Sequence, residues 1–149
     1  MKKELSRVYN ILKKDISKVI NQSKGNVEFH NNLRKYLSMI AVEFDYTGKT
    51  KYKIDSKKHI DVVWLDDLEN VRWAFEIDGG QRKRSIKRLS DMVADNKIWI
   101  YYGNPNKLGD FIKQTDPSNS FLLLNLGNIR KELRKEVKLT NKISSRVTK

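Results

Sequence analysis

The chain has 149 residues and a formal net charge of +13 at pH 7, with 31 Lys or Arg against 18 Asp or Glu. Its length suits one domain, and a hydrophobic content of 38% is enough for a core, which argues against a chain disordered throughout. The absence of cysteine excludes thiol catalysis and cysteine-ligated metal centres.

The excess of positive charge predicts a polyanionic partner. Lys and Arg side chains that neutralise phosphates release counterions, which favours binding to any nucleic-acid duplex regardless of its sequence. A surface charged only for solubility is the alternative, and so is a basic protein that contacts an acidic protein. No apolar run approaches the ~20 residues of a membrane span and no secretory signal follows Met1, so we expect a cytoplasmic protein without a membrane partner.

Apolar periodicity and turn residues divide the chain into short elements. Intervals of three and four indicate helices, and alternation indicates strands. The predicted elements are, in chain order: helices over about 5–20 and 27–37; a strand over 39–46; a turn at 47–50 with a polar, lysine-rich stretch to Lys58; strands over 60–65 and 71–78; a helix after Gly79-Gly80; a strand over 97–102; a helix over 107–114; a strand over 121–126; and a helix over 129–138.

This order predicts a single α/β domain in which a central mixed sheet is flanked by helices. The domain is expected to comprise residues 1–139. The basic segment 140–149 is expected to be a mobile tail. The strands over 60–65 and 71–78 are close in sequence and joined by a short acidic loop, so they should form an antiparallel hairpin.

Three carboxylates are expected to meet at one end of that hairpin. Glu76 and Asp78 lie on one face of their strand, and the antiparallel pairing brings Asp61 beside them. Oxygen ligands from two or three carboxylates are what Mg²⁺ prefers, and Mn²⁺ accepts the same donors. The alternatives are that Asp78-Gly79 is only a turn, that Asp61 caps a strand and that Glu76 pairs with a lysine.

Basic residues follow the third carboxylate directly, on the next predicted helix. A cation-holding acidic cluster beside a phosphate-holding basic helix is the arrangement expected for metal-dependent phosphodiester cleavage. The predicted nucleic-acid-binding residues are Arg82, Lys83, Arg84, Lys87 and Arg88.

At Ile60-Asp61 and Glu76-Ile77-Asp78 the chain resembles the PD-(D/E)XK nuclease superfamily. The resemblance covers about 27–102 and implies a restriction-endonuclease-like αβββαβ core, here with an extra N-terminal helix. It implies Mg²⁺-dependent hydrolysis of DNA, with endonucleolytic cleavage favoured over exonucleolytic. Asp61, Glu76 and the carbonyl of Ile77 would be the metal ligands. Many such nucleases pair to cut both strands, which leaves a homodimer open.

One departure from the family pattern bears on activity, because Asp78 stands where the motif has a lysine. Asp78 would then be a further catalytic, metal-facing oxygen, and Lys83 or Lys87 would supply the positive charge. The alternative function is a catalytically inactive nucleic-acid-binding module on the same fold.

Four other residues are candidates for the site. The family's upstream acid corresponds either to Glu28, at the start of the second helix, or to Glu43, on the predicted strand 39–46; Glu43 is preferred because neighbouring strands bring side chains closer. His59 is a candidate phosphate contact or base, and Gln81 is a candidate to orient substrate or water.

Overall fold

A computed structural model describes residues 3–127 and Ile129. The predicted helix 129–138, apart from Ile129, and the predicted tail 140–149 lie outside the described residues. The elements are α1 (Lys3–Asn21), α2 (Asn26–Ile40), a 3₁₀ helix (Ala41–Phe44), β1 (Thr47–Lys53), β2 (His59–Leu65), β3 (Val71–Asp78), α3 (Lys83–Asp91), β4 (Asn96–Tyr101), α4 (Leu108–Thr115) and β5 (Leu122–Asn125).

The five strands form one mixed sheet in the order β1-β2-β3-β4-β5. β1, β2 and β3 are antiparallel neighbours, whereas β4 runs parallel to β3 and β5 runs parallel to β4. The parallel pairs need crossovers, which α3 and α4 provide. The predicted α/β class, mixed sheet and β2–β3 hairpin are confirmed.

Helices cover both faces of the sheet. On one face α1 and α2 pack against a core that contains Trp64, Trp73 and Phe75. On the other face α3 packs against Trp99, and Leu108 at the start of α4 joins the same cluster. Both faces of β3 and β4 are therefore buried over most of each strand, which explains the consecutive apolar residues at 73–75 in β3 and 98–101 in β4.

The predicted strand over 39–46 is wrong. α2 continues to Ile40 and passes into the 3₁₀ helix, which ends at Asp45 in the left-handed conformation (φ 64°). The residues that face the core, Leu37, Ile40 and Phe44, are spaced three and four apart, whereas Val42 is 73% exposed. The alternation of apolar residues in this segment was a coincidence within a helical period.

The predicted turn and polar loop over 47–58 is also wrong in its first half, which forms the edge strand β1. β1 has no buried residue, so it lacks the apolar alternation by which strands are recognised. Its lysines suit an edge, where charge discourages pairing with other chains. Gly48 allows β1 to approach α2, because a β-carbon there would lie 2.1 Å from the main-chain oxygen of Ser38.

Candidate active site

The hairpin ladder ends where the predicted carboxylates begin. Regular pairing of β2 with β3 extends to Val62 and Phe75, and both strands continue beyond that pair. There the N–H of Asp61 donates to Oε1 of Glu76 (2.8 Å), and the N–H of Ile77 donates to Oδ2 of Asp61 (2.8 Å). Two carboxylates thus replace main-chain acceptors and are held against each other.

Asp61 is also held from the opposite side by α2. Its Oδ1 accepts a hydrogen bond from Nε of Arg34 (3.0 Å) and lies 3.3 Å from Nε2 of His30. Burial disfavours the charged carboxylate, but His30, the Ile77 N–H and the Arg34 charge outweigh it, so the pKa of Asp61 is lowered. Asp61 is therefore ionised at neutral pH.

Glu76 is in the opposite electrostatic situation. It is only 3% exposed, and burial, followed by the charges of Asp61 and Asp78, raises its pKa to about 8. The Asp61 N–H and the charge of Arg88 oppose this effect only in part. Two neighbouring carboxylates of opposite protonation are typical of sites tuned for chemistry or for a cation.

Asp78 is a buried bridge between elements. Its Oδ1 accepts a hydrogen bond from the Ser85 hydroxyl on α3 (3.1 Å), and its Oδ2 accepts one from Nε1 of Trp99 on β4 (2.7 Å). Burial raises the pKa of Asp78 although both donors favour the carboxylate. These contacts give Asp78 a positioning role between β3, α3 and β4.

The three carboxylates line one pocket of about 320 Å³ with basic side chains around them. Of these basic residues, Arg82 immediately precedes α3 and Arg88 lies on it. Lys51, on β1, also lines the pocket. It lies between Thr50, which pairs with Val62 on β2, and Tyr52, which pairs with Ile60. The pocket therefore combines buried negative charge with a positively charged rim, a combination suited to a cation and a phosphate together.

The other predicted site residues lie in several places. His59 lines the pocket, and its main-chain oxygen accepts a hydrogen bond from Nη1 of Arg88 (3.1 Å). Gln81 instead braces a loop by donating to the main-chain oxygen of Asn106 (2.8 Å). Arg84 and Lys87 line a neighbouring cleft, and Lys83 is exposed on α3.

Neither candidate for the upstream acid lines the pocket. Glu28 is exposed on the first turn of α2. Glu43 belongs to the 3₁₀ helix and lines a separate cavity with Lys3 and Arg7. Because the strand expected to place Glu43 beside the cluster is absent, the reason for preferring Glu43 over Glu28 is removed.

Sequence reasoning missed four residues of the site. His30 and Arg34 are four residues apart on α2, a spacing that puts two side chains on one face and that could have signalled a shared partner. Lys51 lies in the segment predicted to be a turn and loop, which forms β1, so its position near the site could not be inferred. Ser85, buried at 2% exposure, carries a polar group on the inner face of α3 and needed a partner, which is Asp78.

The donor set can be tested against Mg²⁺. Within residues 3–127 no group of three or more His, Asp or Glu side chains is arranged to hold a metal ion. Mg²⁺, however, uses one or two protein carboxylates and completes its shell with water and substrate phosphate. Oδ2 of Asp61 and Oε1 of Glu76 each accept one N–H donor, which leaves lone pairs for a cation. The residues present therefore fit a two-carboxylate site.

A scan against protein-family models, a search of curated proteins and a search of solved structures each find no match to this chain. Among the described helices, none has both the length and the apolar character required to cross a bilayer.

Proposed function

We propose that this protein is a metal-dependent deoxyribonuclease related to the PD-(D/E)XK nucleases. The observation that carries this assignment is the convergence of Asp61 and Glu76 at the end of the β2–β3 ladder, within a pocket that has a basic rim. The helix, three strands, helix and strand from α2 to β4 follow the order that the resemblance implies. The net charge of +13 suits a polyanionic substrate.

Asp61 and Glu76 would hold Mg²⁺ or Mn²⁺ through the carboxylate lone pairs that their hydrogen-bond donors leave available. When bound, the cation would polarise the phosphodiester and favour deprotonation of the attacking water. Its charge would also favour ionised Glu76, reversing the effect of the neighbouring carboxylates. The charges of Asp61 and Asp78 thus add to the effect of burial in raising the pKa of Glu76, and the same charges favour a bound cation.

The remaining pocket residues hold the Asp61 carboxylate in place or attract the substrate phosphate. Arg34 and His30, both on α2, contact Oδ1 of Asp61, and the N–H of Ile77 donates to Oδ2. The carboxylate is therefore held from two sides. Arg88 and Lys51 lie on the rim and would attract the phosphate of the scissile bond.

Cleavage of supercoiled plasmid DNA tests this proposal. We expect nicking with Mg²⁺ or Mn²⁺, none with EDTA, and a loss of about 100-fold or more in Asp61→Asn and Glu76→Gln, since each substitution keeps the side-chain shape and removes a negatively charged ligand.

Asp116→Asn is the matched control. Asp116 is also a buried carboxylate, but it lies outside the pocket and accepts a hydrogen bond from the N–H of Ser120. Its nicking rate should equal that of the native protein. Full activity in both pocket variants, with folding verified by circular dichroism, would refute the assignment.

A second candidate, a catalytically inactive nucleic-acid-binding module, is favoured by one observation. Asp78 replaces the motif lysine, and its two oxygens already accept hydrogen bonds from Ser85 and Trp99. This alternative predicts salt-sensitive DNA binding without cleavage in Mn²⁺. Titration calorimetry with Mn²⁺ separates the two functions, because a nuclease site should bind the ion and lose it in Glu76→Gln.

A further inference from the structure

A second cleft adjoins the carboxylate pocket. It measures about 370 Å³ and lies between the loop that joins β1 to β2 and the exposed side of α3. We call it the loop–helix cleft. Five of its lining side chains are basic and two are acidic, so its walls have a net positive charge.

The loop wall presents lysines from a fixed turn. Oδ1 of Asp55 accepts the N–H groups of Lys57 (2.8 Å) and Lys58 (2.9 Å), and the N–H of Ile54 donates to the main-chain oxygen of Lys58 (2.9 Å). These bonds occupy one carboxylate oxygen of Asp55 with its own loop and leave both ammonium groups exposed. The loop is therefore built to display two adjacent positive charges.

The helix wall displays basic side chains by helical spacing. Arg84, Lys87 and Arg88 are three and four residues apart and lie on one side of α3, while Ile86 and Leu89 are buried on the other side. Within residues 3–127, none of the salt bridges involves Lys57, Lys58, Arg84 or Lys87. The four exposed cations are thus available to an external anion.

Arg88 connects the two cavities. This residue lines both, and its guanidinium donates from Nη1 to the main-chain oxygen of His59 (3.1 Å) and from Nε to that of Arg84 (3.3 Å). Its charge also acts on Glu76. A strand of phosphates in the loop–helix cleft would therefore lead directly into the carboxylate pocket.

We propose that the loop–helix cleft binds the DNA backbone beside the scissile phosphodiester, with Lys57, Lys58 and Lys87 as phosphate contacts. This inference rests on the proposed nuclease function and adds the path of the substrate strand. Cations from two separate elements face each other across the cleft, which suits a polymer of regularly spaced phosphates better than a single small anion.

Salt-dependent binding of a fluorescein-labelled DNA duplex, followed by anisotropy in EDTA, tests the proposal without any cleavage. The test variant is Lys57→Gln/Lys58→Gln/Lys87→Gln. The control Lys14→Gln/Lys24→Gln/Lys113→Gln removes the same charge from exposed lysines outside both cavities. All these side chains are exposed, so we expect both proteins to fold normally.

We expect the slope of log K against log salt to become less steep by about 2 to 3 in the cleft variant and to change much less in the control. The triple Lys→Arg variant at the cleft should restore the native slope. Equal slopes in the cleft and control variants would overturn the proposal even if the protein cleaves DNA. A selective effect at the cleft without cleavage in Mn²⁺ would refute the nuclease and leave the cleft as a DNA-binding site.

Discussion

Replacing Glu76 by Gln should change how the stability of this protein depends on pH. The glutamine keeps the shape of the side chain and removes the buried charge that Asp61 and Asp78 repel. Each pKa unit is worth about 1.4 kcal/mol, so the change from the usual 4.5 to about 8 corresponds to about 5 kcal/mol. That is a large part of the 5–15 kcal/mol typical of a domain.

The direction in which stability changes with pH follows from proton binding by Glu76. Because the folded protein binds the Glu76 proton more tightly than the unfolded chain, this stability is fully present below about pH 4.5 and is lost as pH rises to about 8. Relative to native protein, Glu76→Gln should therefore gain about 4 of these 5 kcal/mol in its free energy of unfolding between these limits.

Urea denaturation in EDTA at successive pH values from 5 to 9 measures the difference between the two proteins. A difference that stays constant over this interval would refute the reasoning, because it would mean that Glu76 ionises in the folded protein as easily as in the unfolded chain. Added Mn²⁺ should reduce the pH dependence of native protein and leave that of Glu76→Gln unchanged, since a cation stabilises the ionised carboxylate.

Two further predictions concern the fold around the site. Gly48→Ala should lower the free energy of unfolding by about 1–3 kcal/mol, because its β-carbon would overlap the main-chain oxygen of Ser38; Gly109→Ala, which meets no atom within 4 Å in α4, should be neutral or stabilising by up to about 1 kcal/mol. Equal effects in thermal denaturation would contradict the close approach. Trp99→Phe removes the Nε1 donor to Asp78 and should cost about 1–3 kcal/mol, and an unchanged urea midpoint would show that this hydrogen bond is not needed.

The central hairpin and the meeting of two carboxylates followed from local pattern. β2 and β3 are buried along most of their lengths, so apolar residues mark both strands clearly. Two antiparallel strands joined by so short a loop can pair in few registers. The observed register, in which Val62 pairs with Phe75, puts position 61 next to position 76. Asp61 and Glu76 were therefore predictable as neighbours without any knowledge of the rest of the fold.

The partners of those carboxylates depended on contacts between distant segments. β1 is stabilised by main-chain pairing with β2 and buries no residue. Its side chains therefore show no pattern that predicts a strand or a role for Lys51. His30 and Arg34 reach Asp61 only because α2 packs across the sheet, and Asp78 meets Trp99 only because β4 pairs in parallel with β3. Periodicity records which face of an element is buried, whereas the residues that meet across elements are selected by how those faces dock.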